Sequence, residues 1–154
     1  MLTKNLFCTG LLLIATLSYA ADKPKLTLDE FFDSVDTSDL QLSPDGHSLV
    51  FVVDRADWKE EIFRTDLWLY RDHGPAKLTQ LTHSGHDSAP QWSPDGRWIA
   101  FLSERSSSDD SGERLTQLYL ISPTGGKAFP VTSGDESIHA FSWSPDSHTL
   151  YFAT

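Results

Sequence analysis

An all-β chain built of tandem four-stranded β-propeller blades is the fold class this sequence predicts, and three observations carry it. A ten-residue segment, Leu42-Ser43-Pro44-Asp45-Gly46 through Phe51, returns as Trp92-Ser93-Pro94-Asp95-Gly96 through Phe101. It returns again as Trp143-Ser144-Pro145-Asp146-Ser147 through Phe152, the serines lying 50 and then 51 residues apart. Two further elements keep the same step. Asp66-Leu67-Trp68-Leu69-Tyr70 matches Gln117-Leu118-Tyr119-Leu120-Ile121, and Leu81-Thr82 matches Val131-Thr132. Self-similarity at about fifty residues, with strand-like segments inside each unit, is the mark of propeller blades. A β-sandwich also has many short strands, but not the same turn chemistry at a fixed interval.

Each unit divides into four strands. The first ends at the aromatic or Leu before Ser-Pro-Asp. Ser-Pro-Asp-Gly suits a type I turn, with Ser at the first position, Pro presetting φ at the second and Gly at the fourth. Ser147 in place of Gly makes the third turn the least regular of the set. The second strand is a continuous apolar run, such as Trp98 to Leu102, which implies burial on both faces. A polar loop follows, Asp54 to Arg64 in the first unit and the Ser- and Asp-rich 104–114 in the second. The third strand runs from Leu118 to Ile121, Gly125-Gly126 reverses the chain, and the fourth strand spans about Lys127 to Thr132. Pro130 cannot donate to a ladder, so that strand belongs at a sheet edge.

These units assign blades to residues 39–88, 89–138 and 139–154, the last one incomplete because it ends after its second strand. The reading is therefore a partial propeller of roughly two and a half blades, a fragment of a closed ring. Residues 21–38 precede it as a linker, Lys23-Pro24-Lys25, and a short helix. Thr27 is its N-cap and Glu30 closes a capping box ahead of Phe31 and Phe32. Residues 1–20 read as a signal peptide: Lys4, an apolar run of twelve from Leu6 to Leu17, then Ser18-Tyr19-Ala20. Cleavage would fall between Ala20 and Ala21, giving a periplasmic or secreted protein. The run is too short for a membrane span, and Cys8, behind Phe7, is poorly placed for a lipid anchor. No membrane span is expected once the signal is removed.

Composition narrows the function. The chain of 154 residues is 39% hydrophobic and 12% aromatic, with a formal charge of −10. That places it among globular chains. Acidity argues against nucleic acid and anionic membranes, which need clustered Lys and Arg. Cys8 is the only cysteine and sits in the leader, which excludes disulfides, thiolate metal sites and cysteine nucleophiles from the mature chain.

The segment 92–103 resembles the repeats of two exported groups: the N-terminal propeller of the prolyl oligopeptidase family of serine peptidases, in its dipeptidyl-peptidase and acylaminoacyl-peptidase branches, and the WD40-like TolB-type periplasmic propeller. The likeness covers about 39–154. Leu26-Thr27-Leu28-Asp29-Glu30-Phe31 and the insert Asp54 to Arg64 favour the peptidases. The resemblance implies a propeller that restricts peptide access to a hydrolase domain. That α/β-hydrolase domain, together with further C-terminal blades, would be a partner outside this chain. The competing class is a stand-alone propeller that binds a periplasmic protein. Peptidases of that family carry their serine on a G-x-S-x-G elbow. No such pentapeptide occurs, and Gly134-Asp135-Glu136-Ser137 lacks the spacing. No residue is therefore assigned as catalytic, cofactor-binding or metal-binding, and no cofactor is expected.

Four groups of residues carry a sharper chemical reading beside a bland one. His83, His86 and Asp87 offer metal ligands but fall in a turn whose counterpart, Ser133 to Ser137, has no His. Glu60 and Glu61 resemble the paired glutamates with which dipeptidyl peptidases hold a free amine, yet their flanks do not match. Asp109, Asp110 and Glu113 fit no standard Ca²⁺ loop. Trp92, Trp98 and Trp143 could stack a ligand, but their repeat-locked positions favour core packing.

Overall fold

A computed structural model describes residues 35–75, 77–105 and 114–154. The leader, the linker and capping-box helix, and the acidic group Asp109, Asp110 and Glu113 lie outside these residues. Among the described residues the chain is all-β. Strands β1 (Val35–Leu42), β2 (Ser48–Asp57), β3 (Ile62–Arg71) and β4 (Leu78–Gln80) form one antiparallel sheet in that order. β5 (Asp87–Trp92), β6 (Ile99–Ser103), β7 (Gln117–Ile121) and β8 (Phe129–Pro130) form a second. β9 (Ala140–Trp143) pairs with β10 (Leu150–Ala153). The first strand opens at Val35, ahead of residue 39 where the repeat itself becomes recognisable. Pro130 sits in edge strand β8, paired only through Tyr119.

The doubly apolar strands are explained by packing. Alternate side chains of one strand point to opposite faces. Ile99 and Phe101 of β6, with Tyr119 and Ile121 of β7, pack on Val50, Val52, Leu67 and Leu69 of the first sheet. Ala100 and Leu102 of β6, with Leu118 of β7, turn the other way onto Ile138, at the end of the second unit, and Phe141 of the third. The middle sheet is thus buried on both faces, and every residue of β6 is buried.

Each Ser-Pro-Asp turn is built by the same bonds. Gly46 N–H donates to Ser43 C=O at 2.9 Å and Gly96 N–H to Ser93 C=O at 2.8 Å. Each serine hydroxyl donates to the aspartate two residues on, at 2.5, 2.6 and 2.5 Å for Ser43, Ser93 and Ser144. The same oxygens accept the N–H of Ser48, Trp98 and Thr149 at 2.9, 3.0 and 2.9 Å. One buried hydroxyl therefore ties the start of the turn to the start of the next strand. The third turn departs from expectation. Ser147 N–H reaches Ser144 C=O at 3.0 Å, as regularly as the glycines do. Ser147 takes the left-handed conformation at φ 64°, near the 77° and 71° of Gly46 and Gly96. The missing glycine costs backbone strain, about 1 kcal/mol, rather than regularity.

A second correction concerns Asp54 to Arg64, read from sequence as a loop. β2 and β3 instead run on as a hairpin arm, through the pairs Asp54↔Thr65, Arg55↔Arg64, Ala56↔Phe63 and Asp57↔Ile62. Only 58–61 remain as the turn. β-Formers Ile62 and Phe63 support the extension, and Arg64 Nε meets Asp57 Oδ2 at 2.7 Å. This contact, followed by the Glu60 N–H, holds Asp57 below the usual carboxylate range. The matching 104–114 lies largely outside the described residues.

Candidate functional site

The functional geometry of this chain is its blade-to-blade contact, whose bonds recur at the repeat interval. Trp92 Nε1–H donates to Gln41 C=O of the preceding blade at 3.1 Å. Trp143 Nε1–H donates to Gln91 C=O, the equivalent atom one blade on, at 3.4 Å. A tryptophan at the end of the opening strand of the second and third blades thus staples each blade to the one before, with the ring half in the core. Gln91 Nε2 reaches Phe141 C=O at 3.2 Å, and Asp95 N–H reaches Ser147 Oγ at 3.0 Å. Arg71 crosses from β3 to the carbonyl of Pro123. Trp98 stands edge-on to Phe129, ring centroids 5.5 Å apart, on its own blade.

A repeated bulge belongs to the same machinery. The β1–β2 and β5–β6 registers both slip, between Ser38 and Gln41 and between Ser88 and Gln91. Asp39 and Ala89 take positive φ of 51° and 50° there. Ala89 N–H donates across the blades to Asp39 Oδ2 at 3.2 Å. Bulges re-aim an opening strand without breaking the sheet. Sequence reading passed over them because neither residue is a glycine.

The loop after each fourth strand is anchored by a buried polar residue of the third. Asp66 accepts the N–H of Gly85 at 2.9 Å and the Gln80 amide at 3.1 Å. Arg55 lies 3.5 Å from the same carboxylate. Gln117, 1% exposed, does this neutrally in the next blade. Its amide nitrogen donates to Gly134 C=O and Glu136 C=O at 3.3 and 3.0 Å. Its oxygen accepts from Thr132 Oγ1 and Gly134 N–H at 2.8 and 3.1 Å. The signal was present at repeat offset 51, where Asp66 and Gln117 are the polar members of otherwise apolar strands.

An open groove of about 430 Å³ lies between the first two turns, bordered by Pro44, Asp45, Arg71, Trp92, Asp95 and Pro123. Its carboxylates are well ionised. The Ser43 hydroxyl and then the His47 N–H hold Asp45 below its ordinary value. Ser93 and the Arg97 N–H do the same for Asp95, and Ser144 and the His148 N–H for Asp146. Nucleophilic catalysis needs a serine within reach of a base. Among the described residues no serine hydroxyl is hydrogen-bonded to a histidine ring.

The residues singled out from sequence go separate ways. His86 Nε2 is taken by Arg114. Asp87, fully buried, accepts from Ser103 Oγ at 2.6 Å and pairs with Arg105 at 2.5 Å. The Arg105 guanidinium lies 5.1 and 5.0 Å from the ring centroids of Phe101 and Tyr119. Asp87 therefore serves the blade rather than a site shared with His83 and His86. Glu60 and Glu61 stand exposed at the tip of the hairpin arm, Glu61 at φ 54°.

Repeated four-stranded meanders packed face to face define the chain as a β-propeller segment. No family model matches it. It is 28% identical over 128 residues to the uncharacterized peptidase YuxL of Bacillus subtilis, covering 83% of this chain and 19% of that protein. Dipeptidyl-peptidase 5 of Porphyromonas gingivalis is 28% identical over 118 residues, 74% of this chain and 17% of the relative. Among solved structures, the Pyrococcus horikoshii acylaminoacyl peptidase superposes with TM-score 0.59 at 20% identity, over 78% of this chain and 17% of its own. The β-propeller domain of the Trilobed protease from Pyrococcus furiosus gives TM-score 0.56 at 16% identity, over 77% and 34%. The putative TolB from Agrobacterium tumefaciens gives TM-score 0.52 at 29% identity, over 72% and 35%. This chain is a propeller segment related to those of such peptidases and of TolB proteins. It spans about a fifth of the length of the curated relatives it matches.

Proposed function

We propose that these blades form part of the N-terminal propeller of an exported serine peptidase of the prolyl oligopeptidase family. They would select and admit peptides, and cleavage would occur in an α/β-hydrolase domain outside this chain. The observation that carries this reading is the alignment of 83% of the chain with a peptidase. Two surfaces support it. The outer face of the first sheet leaves Tyr70 40% exposed, and β10 leaves Tyr151 and Phe152 63% and 53% exposed. Apolar blade faces of this kind are covered by neighbouring blades in a closed propeller.

Under this reading residues 1–20 are a signal removed after Ala20, the stretch from 21 to the start of β1 a linker and helix, and β1 onward the blades. Among the described residues no helix is long and apolar enough to cross a membrane. Intact-mass analysis of exported protein should find Ala21 at the N-terminus; a chain still starting at Met1 contradicts export. The peptidase reading is tested by sequencing the DNA downstream of the Thr154 codon. Further blades followed by a G-x-S-x-G elbow, in frame or across a frameshift, support it. An unrelated gene after a stop codon contradicts it.

A stand-alone TolB-like interaction propeller is the second reading. It rests on the TolB match, which has the highest identity of the three structures compared, 29%. Blades closing the ring without a hydrolase frame would favour it.

A further inference from the structure

The first Ser-Pro-Asp turn carries a side-chain cluster that the second blade lacks. His47 follows Ser-Pro-Asp-Gly, and its Nδ1 lies 2.8 Å from Asp72 Oδ2. His73 Nδ1 meets the other oxygen of the same carboxylate. The two imidazoles stand edge to face with centroids 5.6 Å apart. One ligand atom from each of the three residues falls within 4.8 Å of the others. The backbone presents them together: Asp72 N–H donates to His47 C=O at 3.1 Å, and His47 N–H donates to Asp45 Oδ1 at 3.0 Å. The blade needs none of the three. At the equivalent positions the second blade has Arg97, Pro123 and Thr124 and builds the same pair of hairpins.

We propose that His47, Asp72 and His73 form a binding site for a borderline divalent transition metal, with Zn²⁺ as its representative. Two imidazoles and one carboxylate are the donor set that such a cation takes, leaving a fourth position open to solvent. Tetrahedral bonds of about 2.0–2.2 Å place donors about 3.3–3.6 Å apart. The three side chains are 59%, 48% and 71% exposed, so small rotations reach that spacing without disturbing the core. A metal at this point takes the two Nδ1 atoms and the carboxylate oxygens that now face one another. Its place is on the turn side of the first blade, beside the Ser43-Pro44-Asp45 turn.

Isothermal titration of the full chain with ZnCl₂, free of any polyhistidine tag, tests the site. The expected result is one equivalent bound in the micromolar range. Changing a residue that merely supports a metal ligand weakens binding about 10–100-fold. His47→Ala, His73→Ala and Asp72→Asn should each weaken it at least that much. His148→Ala, at the matching turn position of the third unit, should leave it unchanged. Circular dichroism of the metal-free variants checks folding, and His73→Ala, the most exposed change, keeps the test open if another variant misfolds. Absence of saturable binding to the unaltered chain overturns the proposal. So does an isotherm that His73→Ala and His47→Ala leave intact.

Discussion

Gln117→Leu removes an amide while nearly preserving volume, and its cost follows from the bonds the amide makes. Four hydrogen bonds converge on this 1%-exposed side chain. At about 1 kcal/mol net each, their loss would cost about 4 kcal/mol. Gly134 and Glu136 lie in an exposed loop, so water takes over part of what they lose. The expected destabilisation is therefore about 2 kcal/mol, or a fall in Tm on the order of 10 °C for a domain of this size. Urea unfolding followed by circular dichroism reads the change, and the unchanged slope identifies it as stability rather than altered compactness. Gln117→Glu sharpens the test. It keeps the acceptors but sets a carboxylate against two carbonyl oxygens, so its penalty should exceed that of leucine at neutral pH and shrink in acid. A leucine variant within about 0.5 kcal/mol of the parent would refute the anchoring role, because that is the scatter of ordinary surface substitutions.

Further expectations follow from the same geometry. Trp92→Phe keeps one aromatic ring but loses the other ring of the indole and its bond to Gln41 C=O, so unfolding should become easier by at least about 1 kcal/mol; a neutral result would show that the indole N–H does not staple the blades. Asp95 and Asp146 titrate below their ordinary 3.8 when folded. Their contribution is complete above 3.8 and is lost as pH falls through the depressed folded value. Asp95→Asn should therefore flatten the fall of the urea midpoint below pH 3.8; an unchanged acid limb would contradict this. Glu61→Gly relieves a left-handed residue at φ 54° and should stabilise by up to about 1 kcal/mol in thermal melts; destabilisation would place Glu61 in a contact that holds the arm.

Much of the fold was legible because its turn chemistry is local and repeated. Ser and Asp form bonds, and Pro presets φ, within five residues, so their recurrence announced the blades directly. Apolar runs such as Ile99 to Leu102 likewise announced two buried faces. Other features depend on partners far along the chain. Trp92 and Gln41 are 51 residues apart, and His47 and Asp72 are 25 apart. No motif spacing links such pairs; topology does. Residue type alone misleads at two places. The polar side chains of 54–64 predict a loop, yet ladder pairing continues through much of it. Ser147 in place of Gly predicts the least regular turn, yet Asp146 and Ser144 still close it.

The central claim, that these blades work with a serine peptidase domain, is tested most directly in the source cells. An antibody raised against residues 35–154 would recover the native polypeptide, which is then treated with a fluorophosphonate serine probe. The account predicts a probe-labelled serine hydrolase in the recovered material, on the same polypeptide or tightly bound to it. Recovery of the blades with no labelled serine would contradict it.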